Sequence, residues 1–306
     1  IARDISRYWD NGNIVVTEMD HHANIDPWIS AAADRNLMVN KIKLNEKTKT
    51  LHYEKLTDLI NEETKLVAIG LASNAIGTIN ECEAVIERAK EVGALVALDG
   101  VHAVPHFSVD FDSIGADFLF CSAYKFFGPH VGIVAIRDEV ITTIEPYKLQ
   151  PAPDLAPENF ETGTVNFEGL VGVTEAIRFI ASIGEGNFLR EQLDSAYRKM
   201  TQYEDYLANR LRRALEKMDH VILYQADDDV EKTSTVAFQV KEMEAEKVCT
   251  YLQKNYALHL EYGNFYAKTL VEKLQVKNGG LIRAGIAPYN TIGEIDHLIE
   301  ALNELN

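Results

Sequence analysis

Residues 120–129 read Phe-Cys-Ser-Ala-Tyr-Lys-Phe-Phe-Gly-Pro: an apolar segment ends, small polar residues follow, and a lysine stands among aromatic residues before a Gly-Pro stop. This pattern predicts that Lys125 lies where a buried strand ends in a loop. An amine held against apolar rings loses hydration, which leaves more of the nucleophilic free base. Such an amine suits covalent catalysis. By its local surroundings alone, however, Lys125 fits better as a structural lysine whose aliphatic stem packs on Phe126.

Four apolar segments of the chain end in polar side chains, at His21, Asn74, Asp99 and residues 122–125. Amphipathic helical patterns separate these segments, which is typical of a mostly parallel sheet covered on both faces. In such sheets ligands bind beyond the carboxyl ends of the strands. The sequence therefore predicts an α/β fold with a ligand site at one edge of the sheet, and it favours a functional role for Lys125.

The second half of the chain has a different pattern, which predicts a second domain. A long apolar-periodic helix is interrupted at residues 184–186 (Gly-Glu-Gly), and a long charged amphipathic helix follows over residues 189–218. The patterns beyond it predict strands at 221–224, 235–240 and 257–260 and helices at 244–255 and 292–305. We predict a large domain over residues 1–183 and a smaller α+β domain over residues 184–306.

Composition argues against some classes of binding partner and indicates a cellular compartment. The formal net charge of −17 argues against a nucleic-acid surface, and no apolar run approaches the ~20 residues that a membrane span needs. Cys82, Cys121 and Cys249 are scattered, so neither a disulfide framework nor a metal site is expected, and a cytoplasmic location is the default. The first residue is Ile1 rather than methionine, and we expect that an N-terminal portion precedes it.

Five separated motifs occur in order along the chain. They are 20–25 (Asp-His-His-Ala-Asn-Ile) with 27–28 (Pro-Trp), 73–74 (Ser-Asn) with 77–78 (Gly-Thr), 99–103 (Asp-Gly-Val-His-Ala), 122–125 (Ser-Ala-Tyr-Lys), and Arg283 with 289–291 (Tyr-Asn-Thr). Together they resemble the class V aminotransferase-like enzymes that use pyridoxal 5′-phosphate, and specifically the cysteine desulfurase and selenocysteine lyase branch. The resemblance covers essentially the whole chain and implies the PLP-dependent transferase fold type I.

The resemblance implies roles around the cofactor ring. Lys125 would form the Schiff base and then move the Cα proton of the substrate. Asp99 would pair with the pyridine nitrogen and keep it protonated, which makes the ring an electron sink. His21 would stack on the face of the ring and act beside Lys125. Asn74 and His102 would bond the region of the 3′-oxygen, although the family often has glutamine at the position of His102.

The resemblance also implies a phosphate site, a substrate anchor and a dimer. Ser122 would hold the phosphate together with Tyr124, where the family usually has histidine. Gly163 and Thr164 match a loop that reaches the phosphate of the neighbouring subunit, which implies a homodimer with shared active sites. Arg283 would clamp the carboxylate of an amino-acid substrate, with Asn74 beside it.

Two departures from the family pattern bear on the reaction. The family also uses a glycine/threonine turn at a helix N-terminus for the phosphate, and that turn would precede Ile1. By the family pattern Tyr266 stands where a desulfurase has its catalytic cysteine, and Glu261 stands where the selenocysteine-lyase-like branch has arginine. A phenol cannot carry a persulfide, and the cysteines of this chain fit structural roles better.

The sequence therefore predicts a PLP-dependent transferase or lyase, cysteine desulfurase-like, that acts on a small amino acid. The reaction after Cα deprotonation stays open between a class V aminotransferase, an elimination lyase, a racemase and a selenocysteine lyase without persulfide chemistry. A non-catalytic dimeric homologue is the alternative from another class. The four residues Lys125, Asp99, His21 and Arg283 argue against it, because a scaffold has no use for them at one edge.

Overall fold

The computed structural model describes residues 1–161 and 163–305 of the chain. In chain order, its strands are β1 (Asn13–Thr17), β2 (Met38–Ile42), β3 (Leu44–Asn45), β4 (Thr50–Leu51), β5 (Thr64–Gly70), β6 (Leu95–Asp99), β7 (Phe118–Ser122), β8 (Gly132–Ile136), β9 (Val221–Tyr224), β10 (Thr235–Val240), β11 (Glu261–Gly263) and β12 (Leu281–Gly285). The helices are α1 (Ala2–Ser6), α2 (Asp26–Asp34), α3 (Leu56–Leu59), α4 (Cys82–Glu91), α5 (Phe111–Ile114), α6 (Asp138–Ile141), α7 (Phe167–Ile183), α8 (Leu189–Leu215), α9 (Ala245–Tyr256), α10 (Lys268–Lys273) and α11 (Ile292–Asn303). Short 3₁₀ helices span His22–Asn24 and Ala123–Phe126.

The main sheet has six strands in the order β2-β1-β5-β6-β7-β8, and all neighbours run parallel except β7 and β8. Its central strands are continuous apolar runs because both faces are covered. The side chains of α4 pack on one face, and Trp28 and Ala32 of α2 pack on the other. The mostly parallel α/β sheet expected from the sequence is thus confirmed.

A second, antiparallel sheet follows in the order β11-β12-β10-β9, and α8, α9 and α11 pack against it around one apolar core. Helix α8 also packs against α7 through Ala196 and Met200. The predicted boundary after residue 183 coincides with the end of α7. It stays a prediction, because α8 shares apolar cores with both sides.

The longest helix, α8, is amphipathic over its 27 residues. Leu207, Leu211 and Leu215 recur at i, i+4 spacing and are buried, and most charged residues of the helix lie on its other faces; Glu204 and Arg212 are buried exceptions. Among the described residues, no helix combines the length and the apolar character needed to cross a membrane.

The strand predicted at residues 257–260 is wrong. Ala257 instead ends α9 in the left-handed conformation (φ 55°), and its N–H bonds back to Gln253. The chain enters the sheet later, as β11, where Glu261 pairs with Arg283. The apolar residues after the helix resembled a strand in the sequence. The position where the helix is capped, however, determines where the chain becomes extended.

Asp20 ties three elements together beneath the carboxyl edge of the main sheet. One carboxylate oxygen accepts from the Thr17 hydroxyl at 2.7 Å; the other accepts from the Asn24 amide at 2.8 Å and the Gly70 N–H at 2.9 Å. Burial raises the pKa of Asp20 to about 6, and these hydrogen bonds oppose the rise. The side chain therefore holds β1, β5 and the 3₁₀ helix after β1 in one arrangement.

Replacing Asp20 is expected to destabilise the fold. Asp20→Ala should lower the free energy of unfolding by about 2–4 kcal/mol, because buried N–H groups of Asn24 and Gly70 lose their acceptor. Asp20→Asn should cost less, since an amide oxygen can still accept from both. Urea unfolding of the three proteins measures the difference, and equal losses in the two variants would contradict this account.

The pH dependence of the same comparison tests the carboxylate itself. The pKa of Asp20 rises from 3.8 to about 6 on folding, so the folded chain binds the proton more tightly than the unfolded chain. The free energy of unfolding of the parent, relative to that of Asp20→Asn, should therefore be greatest below pH 3.8. It should fall as the pH rises through about 6.

Candidate active site

Lys125 is presented by the short 3₁₀ helix that follows β7. Ala123 and Phe126 of this helix are buried against α7, so that Tyr124 and Lys125 point to the other side. Gly128 closes the turn, and a Cβ at this position would lie 2.9 Å from the Ala123 carbonyl oxygen. The aromatic residues around the lysine thus have different roles: Phe126 packs in the core and holds the turn, whereas Tyr124 lines the cavity.

A cavity of about 260 Å³ lies beyond the carboxyl ends of β1, β5, β6 and β7. Seven residues singled out from the sequence line it: His21, Asn74, Asp99, His102, Ser122, Tyr124 and Lys125. A second cavity of about 430 Å³ adjoins it and shares Asp99 and Ser122 among its lining residues. Together the two offer room of the size typical of small-molecule sites, about 300–1,000 Å³.

Lys125 and Asp99 influence each other across this cavity. Burial lowers the pKa of Lys125, the charge of Arg283 lowers it further, and Asp99 opposes both. Burial raises the pKa of Asp99, against the hydrogen bond at 2.9 Å from the Val101 N–H and the charge of Lys125. The lysine is therefore closer to its free base than an exposed lysine, and the carboxylate favours a partner that carries a proton.

His21 presents a neutral ring to the cavity. Its Nδ1 accepts a hydrogen bond at 3.0 Å from the Ala23 N–H, which leaves the ring hydrogen on Nε2. Burial lowers the pKa of His21, and the charges of Lys125, His22 and Arg283 lower it further. The ring of Tyr266 stacks on it, with centroids 5.4 Å apart and an angle of 25° between the planes.

Arg283 is held beside the cavity by the loop that carries Tyr266. Its guanidinium donates to the Asn74 carbonyl oxygen at 2.6 Å and lies 4.1 Å from the centroid of the Phe265 ring. The Asn74 amide in turn donates to the Phe265 carbonyl oxygen at 2.8 Å. These contacts fix the direction of the guanidinium while burial lowers its pKa.

Not every predicted residue joins this group. Arg283 lies next to the cavity rather than in its lining. Gly163 and Thr164 are exposed residues of the loop before α7 and do not line the cavity. Their expected contact with a neighbouring subunit stays a prediction.

Sequence reasoning missed three residues that shape the site: Phe265, which stacks on Arg283, and Thr233 and Thr235, which bond His102. All three come from the second half of the chain. Their types are ordinary for loops and strands, and no local pattern marked them.

Comparison with known proteins identifies the family of this chain. The family model described as Aminotransferase class-V matches residues 2–298. A cysteine desulfurase from Klebsiella pneumoniae subsp. pneumoniae is 30% identical over 320 residues, covering 98% of this chain and 74% of the relative. One from Pectobacterium carotovorum subsp. carotovorum is 29% identical over 307 residues, covering 96% and 71%.

Solved structures show the same fold. The apo cysteine desulfurase from Thermococcus onnurineus NA1 superposes with a TM-score of 0.89 at 26% identity, covering 99% of this chain and 75% of that one. A cysteine desulfurase from Escherichia coli gives 0.86 at 25% identity, covering 98% and 74%. The expected fold type I is thereby confirmed. Because the family model matches nearly the whole chain and the desulfurases are related at about 30% identity, the chain belongs to the class-V aminotransferase family of PLP-dependent enzymes.

Proposed function

We propose that this protein is a PLP-dependent enzyme that acts at the Cα of a small amino acid, with a site like that of cysteine desulfurases. The observation that carries the proposal is the meeting of Lys125, Asp99 and His21 in one cavity, each from a different strand end. Arg283 lies beside them and would anchor the substrate carboxylate.

The side chains of the cavity fit pyridoxal 5′-phosphate. The Asn74 Oδ1 atom is buried in the cavity wall and has no hydrogen-bond partner among the described residues, so it is available to a bound molecule. Ser122 precedes the 3₁₀ helix, yet its hydroxyl does not cap it, which leaves that hydroxyl for a phosphate oxygen. Asp99 offers a buried carboxylate to a ring nitrogen, and the neutral His21 offers a flat face.

The residues divide the chemistry between them. When bound, the cofactor supplies an aldehyde that amines take up and a ring that accepts electron density from the substrate Cα. Asp99 would hold the proton on the ring nitrogen. Lys125, whose lowered pKa leaves more free base, would hold the cofactor and take the proton from Cα. Arg283, aligned by Asn74 and Phe265, would orient the carboxylate so that the Cα–H bond faces Lys125.

Persulfide chemistry is left out of the proposal because of the thiols. Burial raises the pKa of both Cys121 and Cys249 to about 11 and that of Cys82 further, so each is almost wholly protonated at neutral pH. Tyr266 lies on the loop where the family pattern has cysteine. We therefore favour elimination, transamination, racemisation or selenocysteine lyase chemistry over transfer of sulfur to the protein.

Reconstitution tests the proposal. The purified protein mixed with pyridoxal 5′-phosphate should develop the visible absorption band of a lysine-bound cofactor. Borohydride reduction followed by peptide mass spectrometry should then place the label on Lys125 in preference to every other lysine. Failure to bind, or a label spread over surface lysines, would favour the non-catalytic homologue.

A substrate panel then separates the reactions. Amino acids including cysteine and selenocysteine are incubated with the reconstituted protein, and keto acids, pyruvate, alanine, sulfide, selenide and the D-enantiomer are quantified. We expect a product of Cα chemistry without protein-bound persulfide. Accumulation of persulfide on Cys82, Cys121 or Cys249 would contradict that part. Sedimentation of the same sample tests the proposed homodimer with shared sites.

A further inference from the structure

His102 reaches from the main sheet to the second sheet. It lies in the turn after β6 and lines the cavity next to Asp99. Its Nε2 atom is 3.2 Å from the Thr233 hydroxyl and 3.1 Å from the Thr235 hydroxyl, at the start of β10. Both threonines are buried, with 3% and 2% of their surface exposed. The rings of His102 and His106 meet in a T-shaped arrangement, with 5.0 Å between their centroids.

The two hydroxyls decide which nitrogen of His102 carries hydrogen. Neither the Thr233 nor the Thr235 hydroxyl has another hydrogen-bond partner within residues 1–161 and 163–305. If Nε2 carried hydrogen, both hydroxyl hydrogens would be buried without an acceptor. If Nε2 is bare, it accepts from one hydroxyl, and at most one hydrogen stays unpaired. The form with hydrogen on Nδ1 is therefore favoured.

The threonines are themselves held in place. Arg212, buried on α8, donates to the carbonyl oxygens of Thr233 and Thr235 at 2.6 and 3.0 Å. The Thr233 N–H bonds to the Gly77 carbonyl oxygen at 2.8 Å. Gly77 has a φ of +79°, and a Cβ there would lie 2.8 Å from the Thr235 carbonyl oxygen, so only glycine permits this approach. These contacts fix the backbone from which both hydroxyls reach His102.

We propose that Thr233 and Thr235 are positioning residues that hold His102 as a neutral ring with its hydrogen on Nδ1, and so present a hydrogen-bond donor to the cavity. The surroundings agree, since burial, helped by the charges of His106, Arg283 and Lys125, lowers the pKa of His102 well below its usual range. An acceptor at this place would repel an anionic ring oxygen of a cofactor, whereas a donor stabilises it. That last consequence rests on the proposed function; the tautomer does not.

The tautomer can be measured without cofactor. In the full-length protein labelled with ¹⁵N-histidine, long-range ¹H–¹⁵N spectra distinguish the two neutral forms, and His102→Gln identifies the resonances. The form with hydrogen on Nδ1 should exceed the other by at least about 5-fold. This factor corresponds to the lower end of the cost of leaving one more buried hydroxyl unpaired. Thr233→Val combined with Thr235→Val should abolish this excess. A parent His102 with hydrogen on Nε2 would overturn the proposal, as would an unchanged ratio in the double variant.

Thr201→Val is the matched control, because the Thr201 hydroxyl donates to the His106 carbonyl oxygen at 2.7 Å and does not touch His102. It should leave the tautomer ratio as in the parent; a loss of the excess in this variant would count against the specific role of the two threonines.

With cofactor bound, the double variant should shift the pH at which the visible band changes, and Thr201→Val should not. If no cofactor binds, the proposed function is contradicted, but the tautomer ratio, which is measured without cofactor, still tests the roles of the two threonines. If the double variant does not fold, the ratio in the parent decides, because each single variant keeps one hydroxyl and by the same count keeps the excess.

Discussion

Lys125→Ala is expected to lower turnover of the best amino-acid substrate by about 10⁴-fold or more, because in the proposed function one side chain serves both as the nucleophile and as the base at Cα. The variant should still bind pyridoxal 5′-phosphate through the other residues of the cavity, but without the absorption band of a lysine-bound cofactor. Stopped assays with long incubation and absorption spectra of the same samples measure both effects. Retained turnover above a hundredth of the parent would contradict the role of Lys125.

Two further variants separate the chemistry from general effects of losing a lysine. Lys125→Arg keeps a positive charge but cannot give up its proton near neutral pH, so it should be as inactive as alanine. Lys148→Ala is the matched control: Lys148 is also largely buried, with 18% of its side chain exposed, and bonds to Asp154 at 2.8 Å. Its loss should leave turnover within about twofold of the parent, since it lines neither cavity. Unfolding curves of all three variants exclude loss of structure as the cause.

The parts of the site that the sequence predicts are those encoded locally. A parallel strand buried on both faces is an apolar run, and polar residues directly after it must lie at its carboxyl end. Asp99 and Ser122 could therefore be placed at one edge from their neighbours in the chain alone. The functional interpretation of Lys125 depended on that edge, because its own surroundings fit a structural lysine better.

The parts that the sequence did not predict depend on contacts between distant segments. Thr233 and Thr235 reach His102 across more than 130 residues, and nothing in their own segment distinguishes them from other strand residues. Phe265 was visible next to Tyr266, but its stacking on Arg283 depends on how β12 lies against the loop that follows β11. Helix capping at Ala257, not apolarity, determines where β11 begins. Such features follow from packing, which a single sequence does not reveal.

Arg283→Gln is expected to lower kcat/KM for a carboxylate-bearing substrate by about 30-fold or more. This is the lower end of the loss expected when one partner of a buried charge pair is removed. Most of the loss should appear in KM if Arg283 holds the carboxylate equally in ground and transition states, and in kcat if it also aligns the Cα–H bond. Arg283→Lys should recover little, because an ammonium can neither bind a carboxylate bidentately nor stack its plane on Phe265 as the guanidinium does.

A substrate without the carboxylate isolates that contact. For the corresponding amino-acid amide, parent and Arg283→Gln should differ by less than about threefold, since the charge that Arg283 is proposed to recognise is missing. Arg137→Gln is the matched control: Arg137 also donates to backbone carbonyl oxygens, at 2.8–3.0 Å, and lies 5.0 Å from a phenylalanine ring centroid, yet it lies outside the cavity. It should cost stability but not discrimination between acid and amide. Equal losses on both substrates in Arg283→Gln would mean that the arginine supports the fold of the loop rather than the carboxylate, and the substrate anchor would then have to be sought elsewhere in the cavity.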